Sequence, residues 1–230
     1  MRETLARQLT EMADPGYAQF QRRIVSDTHY PILGVRVPLL RMIGKASAKE
    51  FHQLLQEARF ETYEETLAVG LAVAYGNCRF SQKAGDLRVL LPRLDSWGMT
   101  DTIVPTLKLK GNDLADAWVF SGECLDSGRE YICRFGIVMM MDYFLDTDKF
   151  PDVMERILDL DVSHLYYVQM AAAWLLAEAA VTHSDVIEQA LSSGELNQVV
   201  HNLAIRKIRE SRRIPVEWKR LVASMVRKGG

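Results

Sequence analysis

The chain has 230 residues, with 28 lysines and arginines against 30 aspartates and glutamates, so its formal net charge at neutral pH is −2. This length suits one compact domain or one repeat array, with enough chain to bury a substantial core without disulfides. Three widely spaced cysteines form no CxxC pair, which argues against a disulfide framework and against a zinc site.

The N-terminal residues lead directly into a charged amphipathic segment and lack the apolar stretch of a secretory signal. The longest apolar stretch, residues 165–181, is too short for a membrane span and contains Gln169 and Glu178, so it predicts a buried helix. We therefore expect a soluble, cytoplasmic protein without membrane association.

Charge is distributed unevenly along the chain. Residues 201–230 contain nine lysines and arginines against two acids, whereas residues 1–200 contain 19 basic and 28 acidic side chains. A basic end of this kind indicates either a nucleic-acid contact surface or a solvated helix face.

The first predicted elements are two amphipathic helices separated by a break at residues 14–16. Leu5, Leu9 and Met12 share one helical face before the break, and the segment from Tyr17 to Ile24 has the same spacing after it. Next come Pro31 and Gly34, which predict a tight corner, and Pro38, which suits the first turn of a short helix.

Capping boxes predict three of the following helix starts, at Ser47-x-x-Glu50, Thr62-x-x-Glu65 and Ser127-x-x-Glu130. Further starts are predicted at or near Ser81, Ser96, Asn112, Ser163, Ser184, Glu195 and Pro215. No segment shows the two-residue alternation of a strand.

About a dozen short helices with short connections predict an all-α fold, an α-solenoid or superhelix of degenerate HEAT-like helical hairpins. The lack of a strict repeat excludes tetratricopeptide and ankyrin arrays. Since no long linker divides the chain, we expect a single domain over residues 1–230, with its concave face as the place to look for a site.

Two candidate site residues, Trp97 and Asp101, are four positions apart and would share one face of a helix. An indole face attracts a cation, and a nearby carboxylate can stabilise a developing positive charge or align a water. The alternative is that Asp101 only complements the helix dipole.

Two further candidates lie in apolar helices. Arg134 needs an acidic partner, a bound anion or a route to water along its stem. Trp174 follows three alanines, and its indole either fills the space they leave or lines a site.

Motifs of several enzyme classes are absent from the sequence, including GxSxG, GxGxxG, the P-loop and HExxH. The five histidines lack metal-ligand spacing. We expect no metal and no cofactor.

Five segments in order give the chain a resemblance to a known family. They are the Gly34–Arg41 corner, the Trp97-x-x-x-Asp101 pair, the Arg134–Val138 run, the Tyr167–Trp174 helix and the Ala204–Ser211 segment. Together they resemble the AlkD-like DNA alkylation repair family of HEAT-like DNA glycosylases, over roughly residues 30 to 213.

The resemblance implies excision of cationic N-alkylpurines, such as 3-methyladenine and 7-methylguanine, from double-stranded DNA by a monomeric, cofactor-free enzyme that does not flip the base into a pocket. Asp101 would stabilise the oxocarbenium-like sugar and position water, while Trp97 and Trp174 would pack beside the lesion. The resemblance also implies DNA-backbone contacts from five arginines: Arg134, Arg36, Arg41, Arg206 and Arg209.

The sequence leaves two alternatives open. One is a noncatalytic HEAT-like protein that binds DNA structure through its backbone, and the other is a protein-interaction scaffold.

Overall fold

The computed structural model describes residues 2–161 and 164–227, and this part of the chain contains fourteen α-helices, two 3₁₀ turns and no strand. The all-α prediction is confirmed, and the series of short helices is compatible with stacked helical hairpins. None of the described helices is long and apolar enough to cross a bilayer.

The chain divides into two compact units, Met1–Phe120 and Ser121–Gly230. The expectation of a single domain over the whole chain stays a prediction.

The helices that begin in the first unit are α1 Arg2–Glu11, α2 Pro15–Ile24, α3 Val37–Ala46, α4 Phe51–Glu57, α5 Tyr63–Tyr75, α6 Phe80–Leu90, α7 Trp97–Ile103 and α8 Asp113–Leu125. The two 3₁₀ turns, Leu91–Arg93 and Val104–Thr106, follow α6 and α7. Helix α5 is at the centre of this unit, because α1, α3, α4, α6 and α7 all pack against it. Its side chains from Tyr63 to Ala74 are all buried, as expected of a helix that is apolar on nearly every side.

The helices of the second unit are α9 Glu130–Tyr143, α10 Phe150–Leu158, α11 Tyr166–Ala179, α12 Ser184–Ser193, α13 Gln198–Glu210 and α14 Val216–Ala223. Helix α11 is central here and packs against α9, α12 and α13. The predicted start near Ser163 falls outside the described residues, and α11 begins at Tyr166.

The helix starts agree with the sequence in several places and differ in two. Thr62 caps α5 by accepting a hydrogen bond from the Glu65 amide at 3.1 Å, as predicted. The prediction for Ser47 was wrong, because this residue ends α3 and α4 begins only after Glu50. The prediction for Ser127 was also wrong, since α9 begins at Glu130 with Arg129 as its cap residue.

Candidate functional site

Helix α7, which carries Trp97 and Asp101, is fixed at its start by two side chains. The Ser96 hydroxyl accepts a hydrogen bond from the Gly98 amide at 3.2 Å, which confirms the start predicted around Ser96. The Asp27 carboxylate accepts from the Trp97 amide at 2.9 Å and from the Ser96 hydroxyl at 3.2 Å. Three donors at the first turn are thereby satisfied, and the backbone of Trp97 is held in place.

One side of α7 is pressed into the core. Gly98, Met99 and Thr100 are buried, whereas Trp97 and Asp101 are half-buried. A Cβ at Gly98 would lie 2.5 Å from the Tyr63 hydroxyl oxygen, so only glycine permits this close approach to α5. Burial raises the pKa of the Tyr63 hydroxyl above its ordinary value.

Trp97 and Asp101 are linked through one hydroxyl. The Thr100 Oγ1 lies 2.9 Å from the Trp97 carbonyl oxygen and 2.9 Å from Asp101 Oδ1. Its single proton is shared between these two acceptors, and this contact orients the carboxylate one turn after the indole. A half-buried carboxylate four residues after a half-buried indole on the same helix can stabilise a cation that approaches from solvent.

The Gly34 corner is held by a buried carboxylate that sequence reasoning missed. Glu64 is 0% exposed and accepts from the amides of Leu33, Gly34 and Val35 at 2.9, 2.7 and 3.2 Å. Gly34 has φ +87°, and a Cβ there would lie 2.2 Å from the Asp14 carbonyl oxygen. The predicted tight corner is confirmed, and Glu64 in the first turn of α5 is its anchor.

The two arginines of this corner both have partners within the first unit. The Arg36 guanidinium lies 4.4 Å from the centre of the Tyr17 ring and 3.5 Å from Asp14. Arg41 donates to the Thr106 hydroxyl at 2.6 Å. Arg36 is exposed and Arg41 is half-buried.

Arg134, in the second unit, is 5% exposed. Its Nη1 donates to the Tyr167 carbonyl oxygen at 2.8 Å. Glu130, one turn earlier on α9, accepts from the Tyr167 amide at 2.7 Å. This backbone clamp, Glu130 and Arg134 on Tyr167, fixes the first turn of α11, which has no side-chain cap at Leu165.

Trp174 lies two turns further along α11 and is half-buried. Its indole Nε1 donates to Glu178 Oε1 at 3.2 Å. The indole lines a cavity of about 320 Å³ within the second unit, and the other residues around this cavity are Met141, Asp142, Leu145, Asp146, Glu178, Val181, Thr182 and Arg213.

The two arginines predicted on α13 are exposed. Arg206 lies 3.8 Å from Glu210, and its Nη2 is 3.9 Å from the Met170 sulfur. Arg209 makes no ion pair with any of the described residues.

The structure thus brings Trp97 and Asp101 together on one helix of the first unit, and it ties Arg134 to the helix that carries Trp174 in the second. Sequence reasoning missed the carboxylates that hold these elements, namely Asp27, Glu64, Glu130 and Glu178. Glu64 and Glu130 had one signal in the sequence, an acid in the first turn of a helix. Asp27 and Glu178 had no such signal. No cluster of three or more potential metal ligands occurs in the described ranges.

The chain matches the model of a known protein family. A family model described as DNA alkylation repair enzyme matches residues 5–211, which is most of the chain. No curated protein matches the sequence. The matched range includes both α7 and α11 and all the predicted site residues.

Proposed function

The chain belongs to the DNA alkylation repair enzyme family, and we propose that within this role it is a DNA glycosylase. The proposed reaction is hydrolysis of the N-glycosidic bond of cationic N-alkylated purines, such as 3-methyladenine and 7-methylguanine, in double-stranded DNA. The observation that carries the proposal is the half-buried Asp101 carboxylate, oriented by Thr100 one turn after Trp97 on α7.

The proposed reaction needs little catalytic assistance from the protein, because the cationic base leaves as a neutral molecule. The C1′–N bond breaks with both electrons going to the cationic base, and an oxocarbenium-like sugar remains. Asp101 stabilises that positive charge and aligns a water whose oxygen forms the new bond to C1′, with its proton released to solvent. No general acid is required.

The remaining predicted residues contact the substrate in this proposal. Trp97 and Trp174 pack on the sugar–phosphate side of the lesion, through cation–π attraction and ring contacts. Exposure supports backbone contacts from Arg36, Arg206 and Arg209. Arg41 and Arg134 already donate to protein oxygens, so we expect them to contribute less to phosphate binding than the three exposed arginines.

Release of 7-methylguanine from alkylated duplex DNA tests the proposal. We expect Asp101→Asn to lower the release rate by about 100-fold or more, because the amide cannot stabilise the cationic sugar. DNA affinity should change little. Asp116→Asn is the matched control, since Asp116 is an exposed carboxylate on α8 and should leave release unchanged.

The wild-type protein also distinguishes the alternatives. If it binds alkylated duplex DNA without releasing a base, the glycosylase proposal fails in favour of a noncatalytic DNA-binding protein. If it neither binds nor releases, the scaffold alternative replaces both.

A further inference from the structure

Trp174 is the first member of a three-residue chain of contacts. Its indole Nε1 donates to Glu178 Oε1 at 3.2 Å, and the other carboxylate oxygen of Glu178 accepts from Arg213 Nη2. Both oxygens of Glu178 are thus engaged, one by the indole and one by the guanidinium. A carboxylate held at both oxygens has little rotational freedom, so the indole that binds it is held as well.

The fold brings these three side chains together in two ways. Trp174 and Glu178 are four residues apart on α11, and therefore share one face. Helix α13 packs along α11, and the turn after α13 brings Arg213 onto Glu178. That turn is itself fixed, since the Arg213 amide donates to the Ser211 hydroxyl at 3.3 Å and Ile214 is buried.

Exposure argues against a purely stabilising role for the ion pair. The Arg213 side chain is 56% exposed and that of Glu178 is 31% exposed. An ion pair this accessible contributes little to folding stability because water screens it. What the pair does is join the turn after α13 to the carboxylate that accepts from the Trp174 indole, in the wall of the cavity.

We propose that Glu178 and Arg213 are positioning residues that fix the orientation of the Trp174 indole for contact with the DNA substrate. This inference rests on the proposed function for its catalytic consequence, but not for its structural one. The charge-assisted hydrogen bond also leaves the ring more electron-rich, which strengthens its attraction for a cation. Arg213 lies beyond residue 211, where the family match ends.

The structural half is tested by the NMR signal of the Trp174 indole N–H, assigned by its disappearance in Trp174→Phe. In the wild-type protein we expect a downfield signal that exchanges slowly with water. Glu178→Ala should move it upfield and speed its exchange, Glu178→Gln should restore part of the wild-type position, and Arg213→Gln should broaden it. A signal unchanged in both Glu178→Ala and Arg213→Gln would overturn the proposal, whether or not the protein releases bases.

The catalytic half is tested by a double-mutant cycle on the release of 7-methylguanine. We expect Glu178→Ala to lower kcat about tenfold with KM nearly unchanged, because a misplaced contact group mainly costs transition-state stabilisation. Glu178→Gln should recover most of that loss. In a Trp174→Phe background, which retains a ring but has no N–H, Glu178→Ala should cause no further loss. An equal further loss would overturn the proposal, because Glu178 would then act independently of Trp174.

The chain provides a matched control in the same unit. Trp218 Nε1 donates to Glu188 Oε2 at 2.9 Å, so Glu188→Ala removes the same type of contact elsewhere. We expect it to move the Trp218 indole signal and to leave kcat unchanged. If Glu188→Ala lowers kcat as much as Glu178→Ala does, a general loss of packing explains both, and the positioning role is refuted. If the wild-type protein releases no base, the proposed function fails, while the NMR result still decides whether Glu178 and Arg213 fix the indole.

Discussion

Arg134 is a charged side chain in an apolar run, and its sequence context shows only that it needs a partner. The structure supplies that partner as the backbone of a residue 33 positions later. Such a contact cannot be inferred from spacing, because it depends on how α9 and α11 pack. A role for Arg134 at the DNA backbone stays a prediction, whereas its role in the clamp on Tyr167 is observed.

At the scale of single residues, we predict that Arg134→Ala destabilises the protein. The substitution leaves the Tyr167 carbonyl without its guanidinium donor and removes a buried aliphatic stem, which together should lower the free energy of unfolding by about 2–4 kcal/mol. Urea denaturation measures this change. Arg220→Ala removes an exposed arginine of the same unit and should cost less than about 0.5 kcal/mol. Equal stability of the two variants would show that the clamp contributes nothing.

At the scale of helices, residue types predicted which segments are helical better than they predicted where each helix begins. Thr62 and Ser47 have the same capping-box pattern, yet only Thr62 accepts the bond. Ser47 follows α3 closely, and its amide still bonds to the Ile43 carbonyl, so it belongs to the preceding helix. Ser127 similarly closes the turn after α8, because its hydroxyl donates to the Cys124 carbonyl at 2.8 Å. Serine suits both ends of a helix, and sequence alone does not say which end is present.

This difference predicts unequal effects of alanine at the two positions. Thr62→Ala removes the cap of the central helix of its unit and should lower the free energy of unfolding by about 1 kcal/mol. Ser47→Ala removes no capping bond and should change it by less than about 0.3 kcal/mol. Thermal or urea denaturation of both variants gives the comparison. A loss at Ser47 as large as the loss at Thr62 would contradict the assignment of the caps.

At the scale of the whole molecule, the acidic excess is concentrated in one stretch. Residues 121–200 carry 14 acids against four basic side chains, whereas residues 1–120 are almost balanced, with 15 basic and 14 acidic side chains. The basic residues after position 200 directly follow the acidic stretch. The negative net charge of residues 1–200 therefore comes almost entirely from residues 121–200. Because residues 1–120 carry no acidic excess, the negative net charge of residues 1–200 is a weak argument against DNA binding by the first unit.

The exposed arginines of α13 allow this charge distribution to be tested. If Arg209 contacts a phosphate, Arg209→Ala should weaken duplex binding and reduce the slope of log K against log salt concentration by about one. Arg7→Ala is the matched control, because it changes the net charge equally at an exposed arginine of α1. The measurement is fluorescence anisotropy over a salt series. Equal slopes in the two variants would show that Arg209 acts only through net charge.

The sequence predicted the fold class, the family and the placement of Trp97 and Asp101 on one helix, because these depend on local spacing and on motifs. It did not predict the side chains that hold the site in place. Asp27 reaches α7 across 70 residues of chain, and Glu64 reaches back about 30 residues to the corner. Long-range contacts of single carboxylates leave no periodic signal in one sequence, so only the packed structure reveals them.

The clamp on Tyr167 has a consequence for sequence variation. Glu130 and Arg134 bind the amide and the carbonyl of that residue and do not contact its side chain through these bonds. The clamp therefore places no demand on the identity of residue 167, apart from excluding proline, which lacks the amide hydrogen. Any demand on the side chain at this position comes instead from its ring contacts, because the Tyr167 ring centre lies 5.6 Å from that of Tyr131 and 5.1 Å from that of Tyr166.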